Sequence, residues 1–265
     1  MKTIIMKNTP NQDLIIPFEP QDATGLISFW NFNQSGTSFV ADQGEPYCLQ
    51  SQSGRLDIIE DSSCYGGAAL VIQEGQWLSI PRNECPLLDI HGKEGHLTLV
   101  AWIKRSKTSN PHCEFIAGQW NETNKGRQYG LFFNISVWGA RDRLFGHLSN
   151  VGGPTPGYKY CMDGPMGGTE IAYDQWNVAG MSYDGQAGHA WLNGRLDAGD
   201  GLNPYQLAGG LHDGGKDGSD FTVGAVNRSG QTGNFFRGQI AALAVYARAL
   251  TPAEMFVLSR QGGGL

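Results

Sequence analysis

Gln119, Trp120 and Glu122 are followed within a few residues by Arg127 and Tyr129, and further on by His147, Tyr158 and Tyr160. These residue types suit a polyhydroxylated ligand. Trp and Tyr can stack on a ring whose C–H face is apolar. Arg, Gln and His can bind hydroxyls or a carboxylate. His147 or Tyr160 could also act as a base, with Arg127 or Gln119 neutralising a carboxylate beside the proton to be removed. That set would make His147, Tyr160 and Arg127 catalytic. Gln119, Trp120, Glu122, Tyr129 and Tyr158 would then hold the substrate.

Strict alternation along Arg143–Ser149 places Arg143, Phe145, His147 and Ser149 on one face and Leu144, Gly146 and Leu148 on the other. The leucines mark the core, so His147 is expected on the other side. The rigid stretch Gly152–Cys161, with Pro154 and Pro156, begins just beyond and could fold Tyr158 or Tyr160 over the same surface. Plainer roles remain open for all of these. His147 could be an ordinary satisfied histidine, Glu122 and Arg127 solvated loop charges, and the Pro-Gly loop a brace at the rim. Trp30, Trp77, Trp102 and Trp176 are read as core.

The elements that must position these groups are short strands. Leu97, Leu99, Ala101 and Ile103 alternate with Thr98, Val100, Trp102 and Lys104. Further strands are expected at 26–32, 114–120, 127–135, 143–149, 175–183, 187–192, 220–226 and 238–247. Residues 67–72 and 76–80 are expected to pair around Glu74-Gly75. Asp184-Gly185 and Asn193-Gly194 mark tight hairpin turns. No βαβ alternation occurs, so a parallel sheet is not expected. Thr251-Pro252-Ala253-Glu254 is a helix start, with a capping Thr, Pro at the first position and Glu three after the cap. The 38 glycines among 265 residues are scattered among Asn, Asp and Ser, as turn punctuation would be. The predicted class is all-β: a two-sheet antiparallel jelly-roll sandwich with one short C-terminal helix. Residues 1–24, with Pro10, Pro17 and Pro20, read as an N-terminal arm, and 25–265 as the domain.

The formal net charge is -6 and no run of Lys or Arg occurs, which excludes nucleic acid and membrane as expected partners. The first ten residues lack the apolar stretch of a signal peptide, so the protein is expected to be cytoplasmic, or secreted if a signal has been removed. Five cysteines without metal spacing read as buried or free thiols, with one bridge possible. No G-x-S-x-G, H-E-x-x-H or P-loop is present.

Several segments in order resemble the laminin-G-like, or concanavalin A-like lectin/glucanase, jelly-roll superfamily. Leu26–Phe32 with Asp42-Gln43-Gly44 resembles its opening strand and loop, Gly67-Ala68-Ala69-Leu70 its second motif, and His96–Lys104 its central strand. Gln175–Ala179, Tyr183-Asp184-Gly185 and Ala190–Gly194 resemble its Trp-bearing hairpin, and Phe236–Tyr246 with Arg248–Thr251 its closing strand and helix. The resemblance implies a carbohydrate partner, a poly- or oligosaccharide recognised on the concave face. The alternative is a glycan-active enzyme, a polysaccharide (uronate) lyase or an atypical glycoside hydrolase. Against the hydrolases, the E-x-D-x-x-E of jelly-roll glucanases is absent, and against the lyases so is the Q-x-H of jelly-roll alginate lyases. Some members hold calcium with oxygen ligands. Ala241-Ala242 stands where the family usually has an acidic pair, so no metal is expected at the closing strand and no cofactor elsewhere, calcium being the one open alternative. The stretch 105–174 is the least family-like, which directs attention back to Gln119–Tyr160.

Overall fold

The chain is described by a computed structural model over Pro20 and residues 23–107, 112–135, 139–199, 202–228 and 230–260. The arm expected over 1–24 lies almost wholly outside the described residues. Among the described residues two ten-stranded sheets pack face to face; Tyr205–Gln206, Ile58–Glu60 and Ala68–Ile72 branch from the main path of the first, and Val226–Arg228 and Gln231–Gly233 from that of the second. The first runs Arg195–Leu196, Ala187–Leu192, Trp176–Tyr183, Leu97–Arg105, Gly238–Tyr246, Leu26–Asn31 and Gln43–Gly44. The second runs Met166–Glu170, Arg143–Leu148, Gly126–Phe133, Glu114–Asn121, Phe221–Val223, Leu78–Ile80, Cys48–Ser51 and Ser38–Val40. Among the described residues pairing is antiparallel apart from a single parallel pair, Asn227 with Asn121. The chain is thus an all-β sandwich, and its one α-helix among the described residues is Pro252–Ser259.

Alternation in the sequence decides which side chains meet. Leu97, Leu99, Ala101 and Ile103 enter the core between the sheets, while Val100 and Trp102 join a second apolar cluster on the outer face of the first sheet. The helix covers that outer cluster with Met255 and Leu258. Its capping box is complete: Thr251 accepts from the Glu254 backbone N–H, and the Glu254 carboxylate accepts from the Thr251 N–H. Asn193 and Gly194 have φ of 50° and 75°, the positive pair that a two-residue hairpin turn requires. All five cysteines are free.

One pairing differs from expectation. Ala68–Ile72 lies in the first sheet against Gly238–Tyr246, whereas Leu78–Ile80 lies in the second against Phe221–Val223. The turn at Glu74-Gly75 therefore carries the chain between sheets instead of closing a hairpin. Leu70, Ile72, Leu78 and Ile80 are all buried in the shared core. Facing one another across the sandwich buries all four, at about 1.5–3 kcal/mol each.

Candidate functional site

The outer face of the second sheet carries a third apolar cluster, with Phe115, Trp120, Phe132, Phe145, Cys161 and Met166. Two strands and a register shift between them set its floor. Arg127 pairs with Trp120 and Tyr129 with Gln119, and the register shifts between the two pairs. Gln128 is the extra residue of this bulge. Arg127 and Trp120 consequently face outward, while Tyr129 and Gln119 face the core.

His147 lies on the outward face, as alternation requires, opposite Gly130. It is not open to solvent there, with only 7% of its surface exposed. Its ring stacks on Trp120 at 4.9 Å between centroids and meets Phe132 edge-on at 4.9 Å. Nδ1 lies 3.3 Å from the Asp163 carbonyl. A carbonyl only accepts, so Nδ1 holds the proton and Nε2 is left as an acceptor. Burial, reinforced by the positive charge of Arg127, pushes the imidazole down to about 3 despite the Asp163 carbonyl. The ring is therefore neutral throughout the physiological range.

Asp163 is itself anchored. Its carboxylate accepts from Tyr205 Oη at 2.7 Å and from the Thr155 hydroxyl. Thr155 also takes the Met162 N–H on its hydroxyl, at 2.8 Å, and the Tyr158 N–H on its carbonyl, at 2.9 Å. These bonds shape the Gly152–Cys161 loop and lay Cys161 and Tyr160 beside the strand that bears His147.

Trp120, Glu122, Arg127, His147 and Tyr160 converge on one pocket of about 210 Å³. Phe132, Ile135, Cys113, Cys161, Arg228 and Asn234 complete its lining. Burial pushes the Cys161 thiol up to about 11 and raises that of Cys113 as well, so neither is a ready nucleophile. Glu122 Oε2 lies 3.5 Å from Arg228 Nε, and Arg228 Nη1 donates to Asn234 Oδ1 at 3.4 Å. Arg127 differs. It is 7% exposed and its guanidinium carbon lies 6.0 Å from the centre of the Trp120 ring, yet its side chain makes no hydrogen bond and no ion pair among the described residues.

Three residues expected at the site lie apart from it. Tyr129 is fully buried between the sheets and its hydroxyl donates to the Leu88 carbonyl at 2.7 Å. Gln119 is also fully buried on the core side, with neither amide atom hydrogen-bonded. Tyr158 is half exposed on the loop and does not line the pocket. Cys113, Phe132, Ile135, Cys161, Arg228 and Asn234 were not anticipated. Phe132 could have been, since it pairs with Phe145 two residues before His147 on the same face. Ala241 and Ala242 are fully buried in the outer cluster of the first sheet. Among the described residues no group of three or more His, Cys, Asp or Glu is placed to hold a metal ion, and no helix is long and apolar enough to cross a membrane.

The profile of the concanavalin A-like lectin/glucanase superfamily matches residues 73–255. The chain belongs to this family. Solved structures similar to it include Trypanosoma rangeli sialidase in complex with sialic acid, at 12% identity and a TM-score of 0.58. The match covers 89% of this chain and 33% of the sialidase, so the chain spans about a third of that protein. Domain 4 of an extracellular GH43 arabinanase from Geobacillus stearothermophilus, in complex with arabinotriose, matches at 16% identity and a TM-score of 0.53, covering 89% of this chain and 98% of the domain. The binding domain of botulinum neurotoxin serotype G matches at 12% identity and a TM-score of 0.50, covering 88% of this chain and 50% of that one. No curated protein sequence matches the chain. At these identities the solved structures share the fold.

Proposed function

We propose that this protein is a carbohydrate-binding module that recognises a poly- or oligosaccharide at the pocket on the outer face of its second sheet. The observation that carries this reading is the convergence there of an indole, a guanidinium, a neutral imidazole and a half-exposed phenol. Such a set offers a stacking surface and hydrogen-bonding groups around a volume suited to a sugar ring. The arabinanase domain, of nearly the same extent as this chain, was solved holding arabinotriose, which adds support for a glycan ligand.

The same convergence of His147, Arg127 and Tyr160 favours a second reading, a uronate lyase or an atypical glycoside hydrolase. The protonation state of His147 weighs against it. A base whose conjugate acid titrates at about 3 gains little by taking a proton from carbon, and efficient bases titrate near the working pH. The test is a glycan array probed with the full chain, followed by absorbance and reducing-end assays on every glycan bound. Binding without turnover is expected. Release of unsaturated or reducing ends, abolished in His147→Ala, would establish the enzyme instead. Absence of binding to any glycan would refute both.

A further inference from the structure

We infer that the pocket holds a single hexuronate residue, its carboxylate on the Arg127 guanidinium and an adjacent hydroxyl donating to Nε2 of His147. This inference rests on the carbohydrate reading above and names the ligand class.

The argument begins with charge. A buried cation without a partner is costly, and native proteins pair such groups. Arg127 is more than nine-tenths buried as a residue, its guanidinium opens onto the pocket, and it makes neither hydrogen bond nor ion pair among the described residues. The carboxylates of this end of the sheet are engaged elsewhere: Glu122 with Arg228, Asp163 with Tyr205 and Thr155. A ligand entering the pocket would supply the counter-charge that the protein leaves open there. A planar guanidinium matches the two oxygens of a carboxylate.

The second constraint is His147. With its Nδ1 proton given to the Asp163 carbonyl, it offers only an acceptor on its other nitrogen. The ligand must therefore bring a donor as well as an anion. In a hexuronate the carbon bearing the carboxylate adjoins one bearing a hydroxyl, which provides both within one ring. Trp120, Phe132 and Ile135 supply an apolar wall for the C–H face. The volume of about 210 Å³ falls below the about 300–1,000 Å³ of pockets that take drug-sized ligands, so one ring fits and several do not. Recognition is then of a chain end or of one side residue.

Calorimetric titration of the full chain with methyl glycosides of glucuronate and galacturonate tests this. The controls are their methyl esters, the matching neutral hexosides and a hexose 6-sulfate. At least one uronoside should bind, with its ester and the neutral hexoside at least tenfold weaker. Arg127→Gln should erase that discrimination with little change in Tm, because the guanidinium holds no hydrogen bond or ion pair among the described residues. Arg127→Lys should retain part of it. Equal binding of acid and ester, preference for the sulfate, or binding of neutral sugars alone would overturn the inference while leaving the carbohydrate reading in place. Wild-type discrimination that persists in Arg127→Gln would do the same. Failure of every glycan on the array as well would remove both.

Discussion

Acidification should expose the burial of His147 as a loss of stability. In the unfolded chain its imidazole titrates near 6.5, and in the folded protein at about 3. Above pH 6.5 both states hold it neutral, and it contributes no pH dependence. Below that value the unfolded chain takes up a proton that the folded protein refuses. Each pH step then costs the native state about 1.4 kcal/mol until the folded form itself titrates, so about 2 kcal/mol is lost by pH 5 and about 4 kcal/mol by pH 3. Other groups titrate over the same range. Asp61 is held far below the usual carboxylate range by its hydrogen bonds to Lys104, Ser63 and Trp176, and Glu254 is lowered to about 2, chiefly by Arg248. A difference between two proteins removes them. His147→Asn keeps an N–H in the place of Nδ1 for the Asp163 carbonyl, while losing the titrating ring. Its packing loss is the same at every pH. Urea unfolding of both proteins at pH 7.5 and 5.0 should give a drop about 2 kcal/mol larger in the wild type. Equal drops would mean that His147 is protonated or solvated in the folded protein, and the description of the pocket as holding a neutral imidazole would fail.

Three further outcomes separate the pocket from its surroundings. Tyr160→Ala should lower uronoside affinity severalfold, whereas Tyr158→Ala should leave it unchanged in the same titration, since only Tyr160 lines the pocket. Tyr129→Phe should cost about 1 kcal/mol of stability by urea unfolding, through the lost bond to the Leu88 carbonyl, with no effect on binding. Affinity should stay flat between pH 5 and 8, because His147 is neutral throughout and a uronate remains ionised. A rise on acidification with a midpoint near 6.5 would show the imidazole acting as a cation.

The sandwich was legible because its core strands repeat a period of two over long stretches. Leu97–Arg105 divides its side chains between two apolar layers as the alternation indicates. The helix was legible from its cap alone. The hairpin expected at Glu74-Gly75 was not, because a turn signal fixes a reversal of the chain but not which sheet receives it. Leu70 and Ile72 lie across the core from Leu78 and Ile80, and only long-range packing decides that.

The site was legible in part, for a reason specific to each residue. Adjacent residues on a strand face opposite ways, so Gln119 and Trp120 cannot serve one pocket, and the indole is the one that faces outward. Arg127 and Tyr129 are two apart and would share a face in a regular strand. The bulge at Gln128 separates them, sending the cation outward and the phenol into the core. Nothing in local residue type announces that bulge, because it arises from the register against Glu114–Asn121. Alternation placed His147 on the outer face correctly but could not say that the face is covered. The cover comes from residues distant in the chain: Cys161 and Asp163 from the loop beyond the strand, and Arg228 and Asn234 brought in by the contact of Asn227 with Asn121. That cover turns a histidine on an outer face into a neutral acceptor and leaves the Arg127 guanidinium at a pocket, over the Trp120 ring, without a hydrogen bond or ion pair among the described residues. The chemistry of the pocket therefore follows from its second layer as much as from the strands beneath it.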